Sequence, residues 1–234
     1  MKHRIIEAII LALGLILLGL SIKSGIKIFS QRDRVVNVKG LSEREVQADK
    51  VIWPLVFKEV GNDLPSLYDN LKLKNQAIVS FLKSNDITDE EISISAPQVV
   101  DFQAERYSSN TSPYRYNITS VITVSSDKVD LVRKLMSEQG ELLKQGIAVS
   151  GGADYQYNVQ FMFTKLNDIK PQMIEDATKN AREAAVKFAE DSNSKLGKIK
   201  SANQGQFSIT DRDANTPHIK NVRVVSTIEY YLKD

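Results

Sequence analysis

The hydrophobic positions of this chain begin with one long, nearly unbroken apolar run. After a short basic start, the run extends from Ile5 to Ile22 and is interrupted only by Glu7 and Ser21. At about 1.5 Å per residue it makes roughly 27 Å of helix, close to the thickness of a bilayer's hydrocarbon core. The pattern predicts an N-terminal transmembrane helix within residues 1–30. The side chains predicted to anchor it are Ile5, Leu11, Leu15, Leu18 and Ile22.

This run leaves more than one interpretation open. A cleaved signal peptide has an apolar region of about 7–15 residues followed by a small-x-small site. Here the apolar region is longer, and Ser21-Ile22-Lys23 is a poor cleavage site. We therefore favour an uncleaved signal anchor over a cleaved signal peptide or a buried soluble helix. More Lys and Arg residues follow the run than precede it, and that count would place residues 31–234 in the cytoplasm. Long domains, however, translocate largely regardless of such charges, so we expect residues 31–234 on the exported side.

Residues 31–234 alternate pairs of strands with single helices. Period-2 alternation marks the strands and i, i+3, i+4 spacing marks the helices. The predicted strands are 35–39, 51–60, 92–96, 116–124, 146–149, 155–163, 198–207 and 222–230, and the predicted helices are 64–82, 129–136 and 168–189. This order predicts an α+β fold, with antiparallel sheets of paired strands alternating with three helices.

Several details of the pattern make sharper predictions. Pro54 cannot donate a ladder hydrogen bond, so its strand is expected at an edge or at a bulge. Subunit contacts are expected at edge strands such as the Pro54 strand or the Tyr114–Val124 strand. The alternation from Tyr155 to Phe163 is the cleanest strand signal in the chain, and Gly151-Gly152 before it is typical of a hairpin turn.

Composition narrows the chemistry. The chain has no cysteine, which excludes disulfides, thiolate zinc sites and cysteine nucleophiles. The net charge is +2, too balanced for a strong nucleic-acid footprint. We therefore expect no nucleic-acid partner.

Candidate catalytic and metal-binding residues are sparse. His218 follows Pro217 in a polar stretch and is expected to be an exposed loop histidine, since no Gly-x-Ser-x-Gly nucleophile motif accompanies it. Asp211, Asp213 and Asn215 offer oxygen ligands for calcium, but the glycine and glutamate of an EF-hand loop are missing, which favours a polar hairpin loop. We expect no enzymatic activity, cofactor or metal, although a hydrolase using two carboxylates stays open.

One aromatic and basic segment is a candidate surface for a sugar, a lipid headgroup or a partner subunit. Tyrosine and arginine are enriched at interaction hot spots. An ordinary strand with its loop explains the same residues, and both interpretations stay open. The segment's candidate residues are Arg106, Tyr107, Tyr114, Arg115 and Tyr116.

Taken together, these segments resemble the SIMPL-domain family of bacterial cell-envelope proteins, which includes periplasmic immunogenic proteins. Asn85-Asp86 departs from the family pattern, where a glycine is usual in that turn. The features that carry the resemblance are an opening strand ending in Gly40, an apolar strand after Asp49, a helix with Asn75 and Leu82, a turn at Asp86-Ile87-Thr88 leading to Ile92-Ser93, the long strand from Tyr116, and an alanine-repeat helix running into Leu196-Gly197.

The resemblance implies an exported envelope protein with no shared catalytic residues. Some relatives form ring-like or channel-like oligomers, and some are linked to envelope or oxidative stress tolerance. The expectation is a non-enzymatic, membrane-anchored protein of the bacterial inner membrane whose SIMPL-like domain lies in the periplasm and self-associates. One alternative is a periplasmic binding module for a small envelope ligand or partner protein. In another, the anchor is cleaved and the domain is free in the periplasm.

Overall fold

The computed structural model describes residues 2–31, 34–104, 113–150 and 157–233, with side chains of the first helix described from 11 to 26. The helices are α1 (Lys2–Gln31), α2 (Leu64–Ser84), α3 (Val129–Glu138), α4 (Gly140–Lys144) and α5 (Leu166–Asp191). The strands are β1 (Val35–Gln47), β2 (Lys50–Gly61), β3 (Ile92–Ile94), β4 (Gln98–Asp101), β5 (Tyr116–Ser126), β6 (Gln160–Met162), β7 (Lys195–Gln204), β8 (Ser208–Asp211) and β9 (Ile219–Lys233).

The N-terminal apolar run forms the predicted helix, α1. Its large side chains are exposed throughout the stretch from Leu11 to Ile26. Among the residues that the structure describes, no helix combines the length and the apolarity that crossing a membrane requires. The helix is therefore confirmed, and the transmembrane span stays a prediction.

The strands form two sheets. One has the order β3-β5-β2-β6, with β4 also pairing with β5, and the other has the order β1-β9-β7, with β8 pairing with β9. The strand pairs β2–β5, β2–β6, β3–β5, β4–β5 and β7–β9 are all antiparallel. The predicted α+β class is therefore confirmed. In the described residues four helices follow α1 where three were predicted, because a short fourth helix, α4, follows α3 directly.

The chain divides into two compact units, and neither is continuous in sequence. The first comprises Met1–Arg44, Asn167–Ile209 and Val222–Asp234, and the second comprises Glu45–Leu166 and Thr210–Asn221. Each unit has its own cluster of buried apolar side chains.

The core of the second unit lies between β2, β5 and α2. Alternate residues of β2 face it, and Trp53, Leu55 and Phe57 are at most 1% exposed. Ile78 and Leu82, on one stripe of α2, are fully buried against them. The period-2 pattern of the strand and the helical period of α2 thus meet in one core.

The first unit is built on very close contact between a helix and a strand. Alanines recur every four residues along α5 and are almost fully buried at Ala177, Ala181, Ala185 and Ala189. A Cβ on Gly40 of β1 would lie 1.9 Å from the Ala177 carbonyl oxygen. The prediction that Gly40 ends its strand is therefore wrong: β1 runs through it to Gln47, and the glycine allows the helix to approach.

The edge predictions are wrong for whole strands. β2 lies between β5 and β6, although β6 pairs only with Lys50–Ile52 and does not reach Pro54. β5 is interior, with β2 on one side and β3 and β4 on the other, so the expected edge position of Tyr114–Val124 is wrong. The β2–β5 register runs through Pro54 without a bulge. The Val56 carbonyl accepts from the Ser150 amide at 2.7 Å, on the side of β2 that faces away from β5. Backbone N–H and C=O groups of alternate residues point to the same side of a strand, so the backbone nitrogen of Pro54 also faces away from β5. The missing N–H of Pro54 therefore leaves the β2–β5 ladder intact.

The strand predicted over Tyr155–Phe163 is found only in part. Among its described residues, 157–163, only Gln160–Met162 form a strand, and residues 151–156, which include the predicted glycine turn, lie outside the described residues. The strand predicted at 146–149 is replaced by a single bridge between Ser150 and Val56. β6 pairs only with Lys50–Ile52, and its ladder stops before Pro54, which has no N–H to donate on that side.

Candidate functional site

The described part of the tyrosine and arginine segment fixes one strand to another. Arg106 and Tyr107 lie outside the described residues. The Arg115 guanidinium donates to both carboxylate oxygens of Asp101, with its closest approach at 2.9 Å, and lies 4.8 Å from the centre of the Tyr116 ring. Its hydrogen bond lowers the pKa of the Asp101 carboxyl. Arg115 thus joins the end of β4 to the start of β5 and is already engaged within the fold.

An apolar groove of about 320 Å³ lies beside this pair, between the start of α2 and the sheet edge. Asp63 caps α2 by accepting from the Ser66 amide at 3.0 Å, and Pro65 is tolerated in the first turn because no helical hydrogen bond is needed there. Six residues line the groove: Leu64, Pro65, Tyr68, Pro97, Val99 and Ile118.

Pro97 gives the groove its shape by dividing the sheet edge into β3 and β4. The Ser95 amide donates to the Val121 carbonyl of β5 at 3.0 Å. By alternation the next inward amide belongs to residue 97, where proline has no hydrogen to donate. The edge strand therefore breaks at Pro97 and resumes as β4, paired with β5 from Gln98.

β4 is an edge strand with unusually exposed apolar side chains. Val99 is 47% exposed and Val100 36%, and successive residues of a strand point to opposite faces of the sheet. Tyr68, across the groove, is 52% exposed. Edges of this kind pair readily with other chains unless charge or proline protects them. The groove and β4 together form the candidate functional surface, which we call the β4 edge surface.

A partly buried carboxylate, Glu91, stabilises the opposite end of β5. Its side chain accepts from the Ser126 hydroxyl at 2.5 Å, the Thr88 amide at 2.8 Å and the Lys128 ammonium at 3.1 Å. Burial opposes ionisation, but these hydrogen bonds outweigh it and lower the pKa of Glu91 to about 2. All of these contacts are structural, because they connect β5 to the loop after α2.

The Asp211–Asn215 stretch forms the predicted hairpin loop between β8 and β9. Asp213 accepts from the Thr216 and Asn215 amides at 2.8 Å, and hydrogen bonds from these two residues lower its pKa to about 2. Asp211 pairs with Lys220. No cluster of three or more metal-ligating side chains occurs within the described ranges.

His218 lies closer to the core than expected. It is partly buried, and its ring meets the Phe161 ring edge-on at 6.1 Å. Burial, followed by the charge of Arg133, lowers its pKa. The prediction of an exposed loop histidine is therefore wrong, because the hairpin loop folds back and the His218 carbonyl accepts from the Ala48 amide at 2.8 Å.

One known protein family matches most of this chain. Residues 36–226 match the SIMPL family, described as a protein of unknown function (DUF541). The chain belongs to the SIMPL family. The matched region contains α2 to α5 and all of the strands from β2 to β8, which confirms the resemblance inferred from the sequence. No curated protein matches the chain, so the assignment of a site in this SIMPL protein rests on geometry.

The sequence alone missed the β4 edge surface. Residues 97–101 (Pro-Gln-Val-Val-Asp) are too short to show periodicity, and the sequence does not reveal their pairing with β5. The available signal was Pro97 followed at once by two β-branched residues.

Proposed function

We propose that this SIMPL protein is a non-enzymatic envelope protein, anchored in the bacterial inner membrane by α1, whose periplasmic domain self-associates. The observation that carries the proposal is the apolar surface of α1. Leucine and isoleucine side chains from residue 11 to residue 26 are each 54–66% exposed. A helix that is apolar on all sides is normally buried in a membrane or in protein. Lipid around α1 is the simplest environment that removes this surface from water.

Self-association is supported by the β4 edge surface. Val99 and Val100 present apolar side chains on both faces of an unpaired strand edge. Tethering many copies in one membrane raises their effective concentration, so weak lateral contacts between such edges become significant. Fully burying an exposed valine side chain contributes roughly 1.5–3 kcal/mol. Val99 and Val100 are 47% and 36% exposed, so each contributes less than half of that, and the two together are enough to bias association between tethered copies.

The test is membrane fractionation and cross-linking of the full chain, compared with two double variants. Replacing Leu15 and Leu18 with lysine is expected to release the protein from membranes, because each lysine at a helix centre costs about 2.5–3.5 kcal/mol on insertion. Replacing Val99 and Val100 with lysine is expected to leave the protein in membranes but abolish cross-linked multimers, since edge lysines block strand pairing.

Leu73→Lys is the matched control, because Leu73 is 64% exposed on α2 and does not line the groove. Multimers that survive in the β4 variant, or that are absent from the unmodified protein, would contradict self-association at this surface.

An intact mass of 26.2 kDa for the membrane-bound form distinguishes an uncleaved anchor from a cleaved one. Protease treatment of spheroplasts tests the periplasmic orientation.

A second candidate function is the binding of a small apolar ligand in the same groove. Its 320 Å³ lies at the lower end of ligand-pocket volumes, and its lining is apolar apart from the Tyr68 hydroxyl. Native mass spectrometry of the detergent-extracted protein separates the candidates. A bound small molecule on a single copy supports the ligand, and a multimer without added mass supports self-association.

A further inference from the structure

A second groove lies along the other half of the sheet edge, between α2 and β3. Its volume is about 570 Å³. One flank of α2 forms one wall over three turns of helix, and the exposed edge of β3 forms the other. The residues that line it are Lys72, Asn75, Gln76, Val79, Ser80, Lys83 and Ile94. We call it the β3 groove.

The α2 wall of the β3 groove carries available hydrogen-bond donors and positive charge. Within the described chain, neither Lys72 nor Gln76 has a side-chain hydrogen bond or ion pair. Lys83 contacts Asp89 at 2.6 Å, but both side chains are substantially exposed, so that pair is weak. Asn75 accepts from the Ser120 hydroxyl through its oxygen at 2.9 Å, which leaves its amide hydrogens as donors. This wall is suited to anionic side chains.

The β3 wall offers an open backbone edge. β3 is the outer strand of its sheet. Since the Ser95 amide donates inward to β5, alternation directs the N–H and C=O of Ile94 outward. Ile94 is also 51% exposed, and Ser93 and Ile94 supply none of the charge or proline that normally protects an edge. An extended chain can therefore add to β3 as a further strand.

We propose that the β3 groove binds an extended acidic peptide of a partner protein, which pairs with β3 and directs carboxylates at Lys72 and Lys83. Lys83 follows Lys72 by eleven positions, which correspond to about 16 Å along the helix, or to about five residues of a strand. Alternate residues of the peptide face α2, so its acidic residues should be spaced i, i+4 or i, i+6. Backbone pairing supplies affinity, and the lysines supply specificity.

The first test selects random twelve-residue peptides, displayed on phage, against the full chain in detergent micelles. We expect the recovered peptides to carry Asp or Glu at i, i+4 or i, i+6. Reversing both charges with Lys72→Glu and Lys83→Glu should weaken their binding at least tenfold. The matched control is Lys58→Glu with Lys165→Glu, two exposed lysines outside the groove, which gives the same net charge and should leave binding unchanged.

The second test methylates alternate backbone amides of the best recovered peptide. Strand pairing with β3 uses only one set of alternate amides, so one methylated series should lose binding and the other should keep it. Equal behaviour of the two series, absence of acidic enrichment, or equal loss in the control variant would overturn the proposal. Loss of multimers on reversing Lys72 and Lys83 would instead make the groove a contact between copies, and would also overturn it. Unchanged circular dichroism of each variant excludes misfolding as the cause.

Discussion

At the scale of single residues, Gly40 determines how closely α5 approaches β1. We predict that Gly40→Ala destabilises the protein by about 3 kcal/mol, the upper end of the usual cost of overpacking. The added Cβ would lie 1.9 Å from the Ala177 carbonyl oxygen and 2.4 Å from the Ala181 nitrogen, and these backbone atoms cannot turn aside. Urea unfolding measures the change.

Gly140→Ala is the control for this substitution. A Cβ at Gly140 meets no other atom within 4 Å, and alanine is the better helix former. Its stability should be unchanged or slightly higher. If both alanine variants unfold at the same urea concentration, the close approach of α5 to β1 is not what Gly40 provides.

Glu91 predicts a specific acid sensitivity, also at the residue scale. Its pKa is lowered from 4.5 to about 2 in the folded protein. A carboxyl with a lowered pKa contributes stability above its unfolded value and loses it as pH falls toward the folded value. Glu91→Gln should therefore flatten the stability profile between pH 4.5 and pH 2, measured by thermal unfolding. Glu90→Gln, at an exposed neighbouring carboxylate, should leave the profile as it is, and an equal effect would contradict the assignment.

At the scale of elements, Pro97 separates two halves of one sheet edge. We predict that Pro97→Val creates an inward amide at position 97, protected from hydrogen exchange by a bond to β5. β3 and β4 then join through a one-residue bulge, because Ile94 pairs with Ile122 but Gln98 pairs with Thr119. The longer apolar edge should also increase the yield of cross-linked multimers. Stability should change little, because one hydrogen bond, worth about 0.5–1.5 kcal/mol, offsets the lost rigidity of proline.

Pro65→Val is the comparison for this variant, since the first turn of α2 needs no amide donor. An unprotected amide at position 97 would show that the break has another cause.

The elements also show what the sequence can predict. The helices α2 and α5 were located within a few residues, because each buries one continuous stripe against a single core. Of the strand predicted at 155–163, the described residues form only Gln160–Met162, because β6 pairs with Lys50–Ile52 and Pro54 beyond them has no N–H to donate on that side. Arg115 was predicted as a surface residue. Its pairing with Asp101 was not, because that contact depends on the β4–β5 register.

At the scale of the whole molecule, sequence order and spatial order diverge. The sequence predicted the class, the family and a single stretch for the folded part. It did not predict that each of the two compact units combines distant stretches of chain, because apolar periodicity reports which face of an element is buried and not which element covers it. The surfaces proposed for self-association and for peptide binding lie on the same sheet edge. That edge is formed by β3 and β4, two short strands that both pair with the interior strand β5.

The pairing of β1 with β9 has a consequence for biogenesis. The Leu232 amide donates to the Arg34 carbonyl at 2.8 Å, so two positions 198 residues apart close the first unit. Such distant pairing is slow, because a long loop must close before any contact compensates for the lost entropy. If the chain is exported from its N-terminus onward, β1 emerges with no partner until residues 219–233 follow it. A holding chaperone on the exported side would then be needed during translocation, and its absence should slow maturation more than it lowers the stability of the finished protein.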